Sequence, residues 1–410
     1  MKRVLIMDLL PGGHHARYIR WILECDACRQ AEVVLAGMGE LFEHAELKDV
    51  TGSIQTHHVQ LSARQERIVG KYSSTTEAVR RQFTIWKIWR EIYEKVSRTA
   101  QVDMVVLPYT DGSLEAIALR GSPFGATSWT GISMNMSFHY PYVGVKAPRQ
   151  RFSVVREWLF RRALRDRYLT GLFTIDPTLY EYASSCLTER ELQKLTYLPD
   201  PAVDHVLPSA VEARESLGIP QDAKVVLVYG KLSDRKGISL LIECASSSQC
   251  PPNIYVLLAG EQSPGIFDFL GGEAASFLQS QGRLKIIDGY VSDSDEARLL
   301  AAADCMWVVY PGFYTMSGVL VLAVRHGIPC MVPDYGLVGF LMGKPLCGLI
   351  VNPDDKTTVI AGLQQVSSYA EVLVAKGHIA MKAFSRHSIV EFQKTISAMM
   401  LNILERSQIH

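Results

Sequence analysis

The sequence carries no net charge, since 42 Lys+Arg balance 42 Asp+Glu. That balance argues against a dedicated nucleic-acid binder, and any electrostatic partner must be met locally. Long hydrophobic runs are missing as well. No apolar stretch reaches the ~18 residues needed to span a bilayer, and the opening MKRVLIMDLLPGG is interrupted too soon for a secretory signal. VLIMDLL reads better as a first core strand. Paired cysteines are scarce: the eight cysteines occur singly apart from Cys25 and Cys28, and several, such as Cys305 in ADCMWVV and Cys330 in GIPCMV, sit inside apolar runs. This usage fits reduced, buried thiols of a cytosolic protein, not a disulfide framework. A lone C-x-x-C without a second pair argues for no redox or metal centre, and no short repeat period points to a solenoid.

What the sequence does have is length and apolar content. With 410 residues and 48% apolar side chains, the chain is expected to form two domains of roughly 200 residues. Strand-like runs alternate with helical patterns, the mark of parallel βαβ construction. In the first half, Val4 to Leu9, Glu32 to Ala36, Met104 to Leu107 and Leu172 to Ile175 read as strands, and Thr76 to Ser97 and Phe152 to Arg167 as helices. In the second half, strands are expected near Val225 to Tyr229, Tyr255 to Ala259, Leu284 to Ile287, Met306 to Val309, Pro329 to Val332 and Gly348 to Val351. The proline-rich segment LPDPAVDHVLPS, residues 198–209, suits a linker. The expected fold is therefore α/β, with an N-terminal domain over 1–205, a C-terminal domain over 206–384, and a helix in 385–410 that packs back on the N-terminal domain.

The stretch VVLVYGKLSDRKGISLLI places Lys231 and Lys236 between a uniformly apolar strand and the start of a helix. Ligands of open α/β sheets bind at the carboxyl ends of strands. A helix N-terminus there adds backbone donors and a partial positive charge, so an anion, first of all a diphosphate, is the expected guest.

At these residues the chain resembles the retaining glycosyltransferases of family 4, whose two Rossmann-like domains face each other across a cleft in the GT-B arrangement. The family's strand, Gly-Arg, short variable stretch and Lys-Gly are matched by Gly230-Lys231 and Lys236-Gly237, with lysine in place of arginine. The resemblance implies that Lys231 and Lys236 neutralise the diphosphate of a UDP- or GDP-type sugar donor, with no cofactor or metal required. Lysine keeps the point charge but loses the bidentate fork, so binding should be altered more than abolished. The likeness continues in order along nearly the whole chain. Gly12-Gly13 is similar to the glycine loop near acceptor and donor phosphates. His139, in ISMNMSFHYPY, resembles the strand-end histidine that faces the transferring sugar. LLAGE, ending at Glu261, matches a strand-glycine step, and Ser317-Gly318 falls where backbone N–H groups meet the phosphates. His14 and His15 follow the glycine loop, where they either bind the acceptor or cap and pack. Glu261 either faces the ligand or is a solvated loop acid, and Asp111-Gly112 marks another strand-end loop on the acceptor side.

One departure stands out. The family's two glutamates, eight residues apart before a Gly-x-Pro segment, fall on Tyr314 and Leu322, and no glutamate occurs between Glu296 and Glu371. Leucine cannot accept hydrogen bonds from a ribose, and tyrosine offers a phenol without charge. The resemblance implies a retaining transferase moving a sugar to an unidentified acceptor. The missing acids also suit a pseudo-glycosyltransferase coupling a non-sugar group, or a GT-B scaffold without catalysis. Finally, Lys146 to Arg167 holds eight basic and two acidic residues, net +6, interleaved with Phe152, Val155, Trp158, Leu159 and Phe160. Such a stretch either lies on an anionic membrane, here the inner face, or presents a solvated basic side above a packed one.

Overall fold

The computed structural model describes residues 1–10, 15–51, 54–70 and 75–406, so Gly12, Gly13 and His14 lie outside the described residues. The chain divides into two compact units. The first comprises Met1–Val143, Pro148–Pro199 and Ile389–His410, and the second Gly144–Ala147 and Asp200–Ser388.

In the first unit, β1 (Arg3–Met7), β2 (Glu32–Gly37), β3 (Thr56–Gln60), β4 (Met104–Leu107), β5 (Ser128–Ser133), β6 (Leu169–Thr174) and β7 (Leu195–Tyr197) form a sheet in the order β3-β2-β1-β4-β5-β6-β7. Every pairing is parallel. Val4, Leu5, Ile6 and Met7 are fully buried, as a central parallel strand requires when helices cover both faces. The helix Ile389–Arg406 belongs to this unit: Phe392 packs edge-on against Tyr18 and Trp21, and Ser397 Oγ accepts from the Ala27 N–H at 3.0 Å.

In the second unit, β8 (Lys224–Tyr229), β9 (Ile254–Ala259), β10 (Leu284–Ile287), β11 (Cys305–Trp307), β12 (Cys330–Pro333) and β13 (Leu349–Val351) run in the order β10-β9-β8-β11-β12-β13, again all parallel. Val225 through Val228 are fully buried, each such side chain contributing about 1.5–3 kcal/mol of burial free energy.

Each sheet reverses its strand order once, between β1 and β4 in the first and between β8 and β11 in the second. Helices following those strands cover opposite faces, so the loops diverge and leave a crevice at the strand ends. The loops at these two points are therefore where ligands are to be sought. All eight cysteines are free, and only Cys186 is not buried. Among the described residues no helix is long and apolar enough to cross a membrane, and no group of three His, Cys, Asp or Glu is placed to hold a metal ion.

Candidate functional site

At the β8/β11 switch point, β8 ends at Tyr229 and the chain turns through Gly230, whose φ of 86° suits glycine. Gly260, after β9, approaches so closely that a Cβ there would lie 2.2 Å from the Gly230 carbonyl oxygen. Lys231 follows, exposed and without an ion pair or hydrogen bond among the described residues. A single 3-10 turn, Asp234–Lys236, and Gly237 in the left-handed conformation then lead into the helix Ile238–Ala245.

The two lysines of this loop are in different environments. Lys236 is only 4% exposed. Its backbone carbonyl accepts from the Trp307 indole at 2.8 Å, and its ammonium donates to the Tyr229 carbonyl and lies 3.4 Å from the Tyr310 hydroxyl. The Gly230 N–H bonds to Ala259 on β9, so the Tyr229 carbonyl of the same trans peptide points the other way, towards β11. The β11 pairing has already stopped at Leu227. The lysine thus satisfies a strand-end carbonyl that the sheet leaves open. Burial, with the Arg235 charge as a smaller cause, pushes the Lys236 ammonium down to about 7. The Tyr229 carbonyl and the Tyr310 ring, 5.3 Å from Nζ, work in the opposite direction because both attract a cation.

Facing this loop in sequence order is the segment after β11. Tyr310 is buried, which raises its phenol, with a hydrogen bond to Ser317 acting against the rise. Ser317 caps the helix Gly318–Arg325 by accepting from Leu320 N, and Gly318 at the helix start is exposed. Arg235 lies with its guanidinium 5.1 Å from the Phe313 ring centre. Tyr314 packs on Tyr335 at 5.2 Å between ring centres, and the Tyr335 hydroxyl accepts from Gly312 N. Leu322 is 5% exposed, one of the buried side chains of that helix. Glu261 is exposed, and its carbonyl takes the Leu232 N–H at 2.8 Å. Arg235, Tyr310 and Tyr335 were not singled out by sequence reasoning. Arg235, beside Lys236 in DRKG, is the one whose neighbourhood in the sequence pointed to it.

The β1/β4 switch point of the first unit gathers a second polar cluster. Asp8, at the end of β1, accepts from the Leu10 N–H and pairs with His15 Nδ1 at 2.8 Å; both side chains are buried. The His15 ring stands edge-on to Tyr109, whose hydroxyl accepts from Asn135 at 3.2 Å. Burial, helped by the charges of Asp111 and Asp8, pushes Tyr109 up to about 12. Asp111 accepts from Ser133 Oγ at 2.7 Å and from the N–H groups of Met134 and Asn135 at 2.9 and 2.8 Å. Burial raises its carboxyl while these bonds pull it back. Asp8, Tyr109, Arg81 and Trp89 line a cavity of about 20 Å³, and Arg81 Nε and Trp89 Nε1 are buried without a hydrogen-bond partner among the described residues.

His139 makes its polar contacts with the start of the helix that follows β6. The strand before it ends at Ser133, and the imidazole, with no solvent exposure, bonds through Nε2 to Thr178 at 3.0 Å and lies 3.3 Å from Asp176. Instead of ending a strand, it is enclosed by the first turn of the helix Pro177–Cys186.

No family model matches the chain. Over 159 residues it is 26% identical to the uncharacterized glycosyltransferase MJ1607 of Methanocaldococcus jannaschii, a stretch covering 38% of this chain and 39% of that protein. The chain thus matches about two fifths of that relative's length. The Anabaena protein HepE in complex with UDP superposes with a TM-score of 0.68 at 14% identity, over 98% of this chain and all of that one. Sucrose-phosphate synthase from Thermosynechococcus elongatus does so with a TM-score of 0.67 at 15% identity, over the full length of both. The fold is GT-B. The GT-B likeness runs through both units, because the two structures cover 98% and 100% of this chain.

Proposed function

We propose that the chain is a retaining glycosyltransferase that moves a sugar from a nucleoside-diphosphate sugar of the UDP or GDP type to a hydroxyl or amine acceptor. The observation that carries this reading is the strand-end site at β8. A buried lysine is held there on an open carbonyl, with the exposed Lys231 and Arg235 in the same loop. The name of MJ1607 and the UDP bound to HepE agree with it. Residues 206–384 would bind the donor and 1–205 the acceptor, with the helix in 385–410 completing the N-terminal domain.

In this reading Lys236 and Lys231 receive the charge that develops on the β-phosphate as the glycosidic C–O bond breaks. The Gly230 turn and the Ser317–Gly318 helix start add backbone donors. The acceptor attacks on the face the phosphate leaves, and its proton passes to a leaving phosphate oxygen. Catalysis then rests on positioning and phosphate stabilisation. Asp8, His15, Asp111 and the Gly12-Gly13-His14 segment form the acceptor side, and His139 meets the sugar once its ring is uncovered. Tyr314 and Glu261 border the transferred group. Because Tyr314 is paired with Tyr335 and Leu322 is buried, a pseudo-glycosyltransferase coupling a group with fewer hydroxyls is the second reading.

A thermal-shift screen with UDP, GDP and ADP tests the site. A nucleotide at about 100 times its dissociation constant adds about 2.7 kcal/mol, or roughly 5–10 °C for a domain of about 200 residues. No shift with any of them would leave the non-catalytic scaffold standing.

A peripheral membrane contact belongs to the same proposal. Along and beside the helix Ser153–Leu164, Phe152 is 69%, Val154 70%, Val155 49% and Trp158 49% exposed. Part of the basic charge is spent inside the protein: Arg161 and Arg165 pair with the buried Glu191, and Arg162 donates to the Ala118 carbonyl. Arg149, Arg151 and Arg167 remain exposed, Arg151 with its guanidinium 5.8 Å from the Phe152 ring centre, and exposed basic and apolar side chains together suit an anionic bilayer surface. In flotation with phosphatidylglycerol vesicles the protein is expected to rise with the lipid, and Trp158→Ala with Phe152→Ala to stay below. Equal behaviour with phosphatidylcholine alone would remove this contact.

A further inference from the structure

Beneath the β8 strand end lies a buried polar chain that the function proposed above does not use. Glu296, in the helix Asp293–Ala302, has no solvent exposure. One of its carboxylate oxygens accepts from the Tyr229 hydroxyl, and the other meets His205 Nε2 at 2.9 Å. The His205 backbone N–H donates to His326 Nε2 at 3.0 Å, and His326 Nδ1 lies 2.8 Å from the Leu322 carbonyl. Because Nε2 of His326 accepts and Nδ1 faces a carbonyl, His326 is the neutral tautomer with its proton on Nδ1. The chain thus starts at Tyr229, whose own carbonyl holds Lys236, and ends on the helix Gly318–Arg325, whose first residues follow the Ser317 cap. One hydrogen-bonded path ties together the two backbone elements that flank the strand-end site.

A buried carboxylate is an expensive way to join two elements, since apolar residues of similar volume often serve stability as well or better. What Glu296 provides that an apolar residue would not is a directional hold on the Tyr229 phenol. Through it the last residue of β8, paired with Ala259 of β9 but not with β11, gains a second hold from the helix that leads into β11. We propose that Glu296 is a positioning residue for the phosphate site, acting through Tyr229 to fix the strand-end carbonyl on which Lys236 sits. This rests on the diphosphate reading of that site.

Tyr229→Phe removes only the hydroxyl and keeps the ring, and Glu296→Gln keeps an acceptor for it while removing the charge. Binding of UDP and GDP to the full chain is measured by titration calorimetry, with thermal unfolding run alongside. Tyr229→Phe is expected to weaken nucleotide binding about tenfold, and Glu296→Gln to weaken it less. In the Lys236→Ala background the same Tyr229→Phe change is expected to have no further effect, because residues acting through one contact are not additive. A purely structural role would lower the unfolding midpoint while leaving affinity unchanged, or weaken binding equally in both backgrounds, and either result overturns the inference. If the wild-type chain binds neither nucleotide, the diphosphate reading falls and takes this inference with it. Binding by wild type with unaltered affinity in Tyr229→Phe removes the inference alone.

Discussion

Lys236→Ala is expected to cut turnover by about 100- to 1,000-fold, the loss seen when one preorganised donor to a developing anion is removed. The effect is large because this ammonium is already dry and held: its backbone is bonded to Trp307 and its head to the Tyr229 carbonyl. No reorganisation of water is then needed as the leaving phosphate gains charge. Lys231→Ala should cost less, because an exposed ammonium acts through solvent and keeps its own hydration. Nucleotide titration by calorimetry gives the same ranking without knowledge of the acceptor. A Lys236→Ala variant that binds UDP or GDP as tightly as wild type and turns over normally would refute the assignment. The unfolding midpoint of the variant separates this from misfolding: relief of the buried charge and loss of the Tyr229 carbonyl's partner act on it in opposite directions, so it should stay near that of wild type.

The second large effect is with pH. Burial sets the free Lys236 near 7, and a bound diphosphate favours the ammonium and raises it. Binding therefore requires a proton above about pH 7, and affinity is expected to fall towards tenfold per pH unit from there until the bound lysine itself titrates. Stability of the free protein moves the other way. The folded lysine loses its proton near 7 and the unfolded one near 10.5, so between those values the unfolded state holds more protons and this group makes the fold more stable as pH rises. Below about 7 both states are protonated and the cost of the buried charge is fully present. Measured as the difference between wild type and Lys236→Met, the two slopes should have opposite signs. Equal slopes in both proteins would show that another group governs the titration.

How much of this was legible in the sequence depended on burial pattern. The central strands β1, β4, β8 and β9 were plain because two covered faces demand continuous apolar runs. β3 was not, since THHVQ is an exposed edge strand. β5 hid behind Ser128, Thr130 and Gly131, the last two of which serve contacts made elsewhere. Thr130 Oγ1 reaches the Gly171 carbonyl, and a Cβ at Gly131 would lie 2.3 Å from Thr110 Cγ2. The three-residue β7 left no periodic signal. For the site, the position of Lys231 and Lys236 between a strand and a helix could be read from one segment. The burial of Lys236 could not, because Trp307 and Tyr310 arrive 71 and 74 residues later. Glu296 is 67 residues from Tyr229 and has no motif of its own. His139 shows the same limit, as the side chains that enclose it come from a helix almost forty residues further on.

The central claim is that a nucleoside diphosphate binds at the β8 strand end on a protonated Lys236. Titration of UDP and GDP at pH 8 in two buffers of different ionisation enthalpy measures it directly, because the buffer dependence of the heat counts the protons exchanged on binding. Uptake approaching one proton per nucleotide is expected for wild type and none for Lys236→Met. Tight binding without proton uptake, or no binding of either nucleotide, would contradict the account.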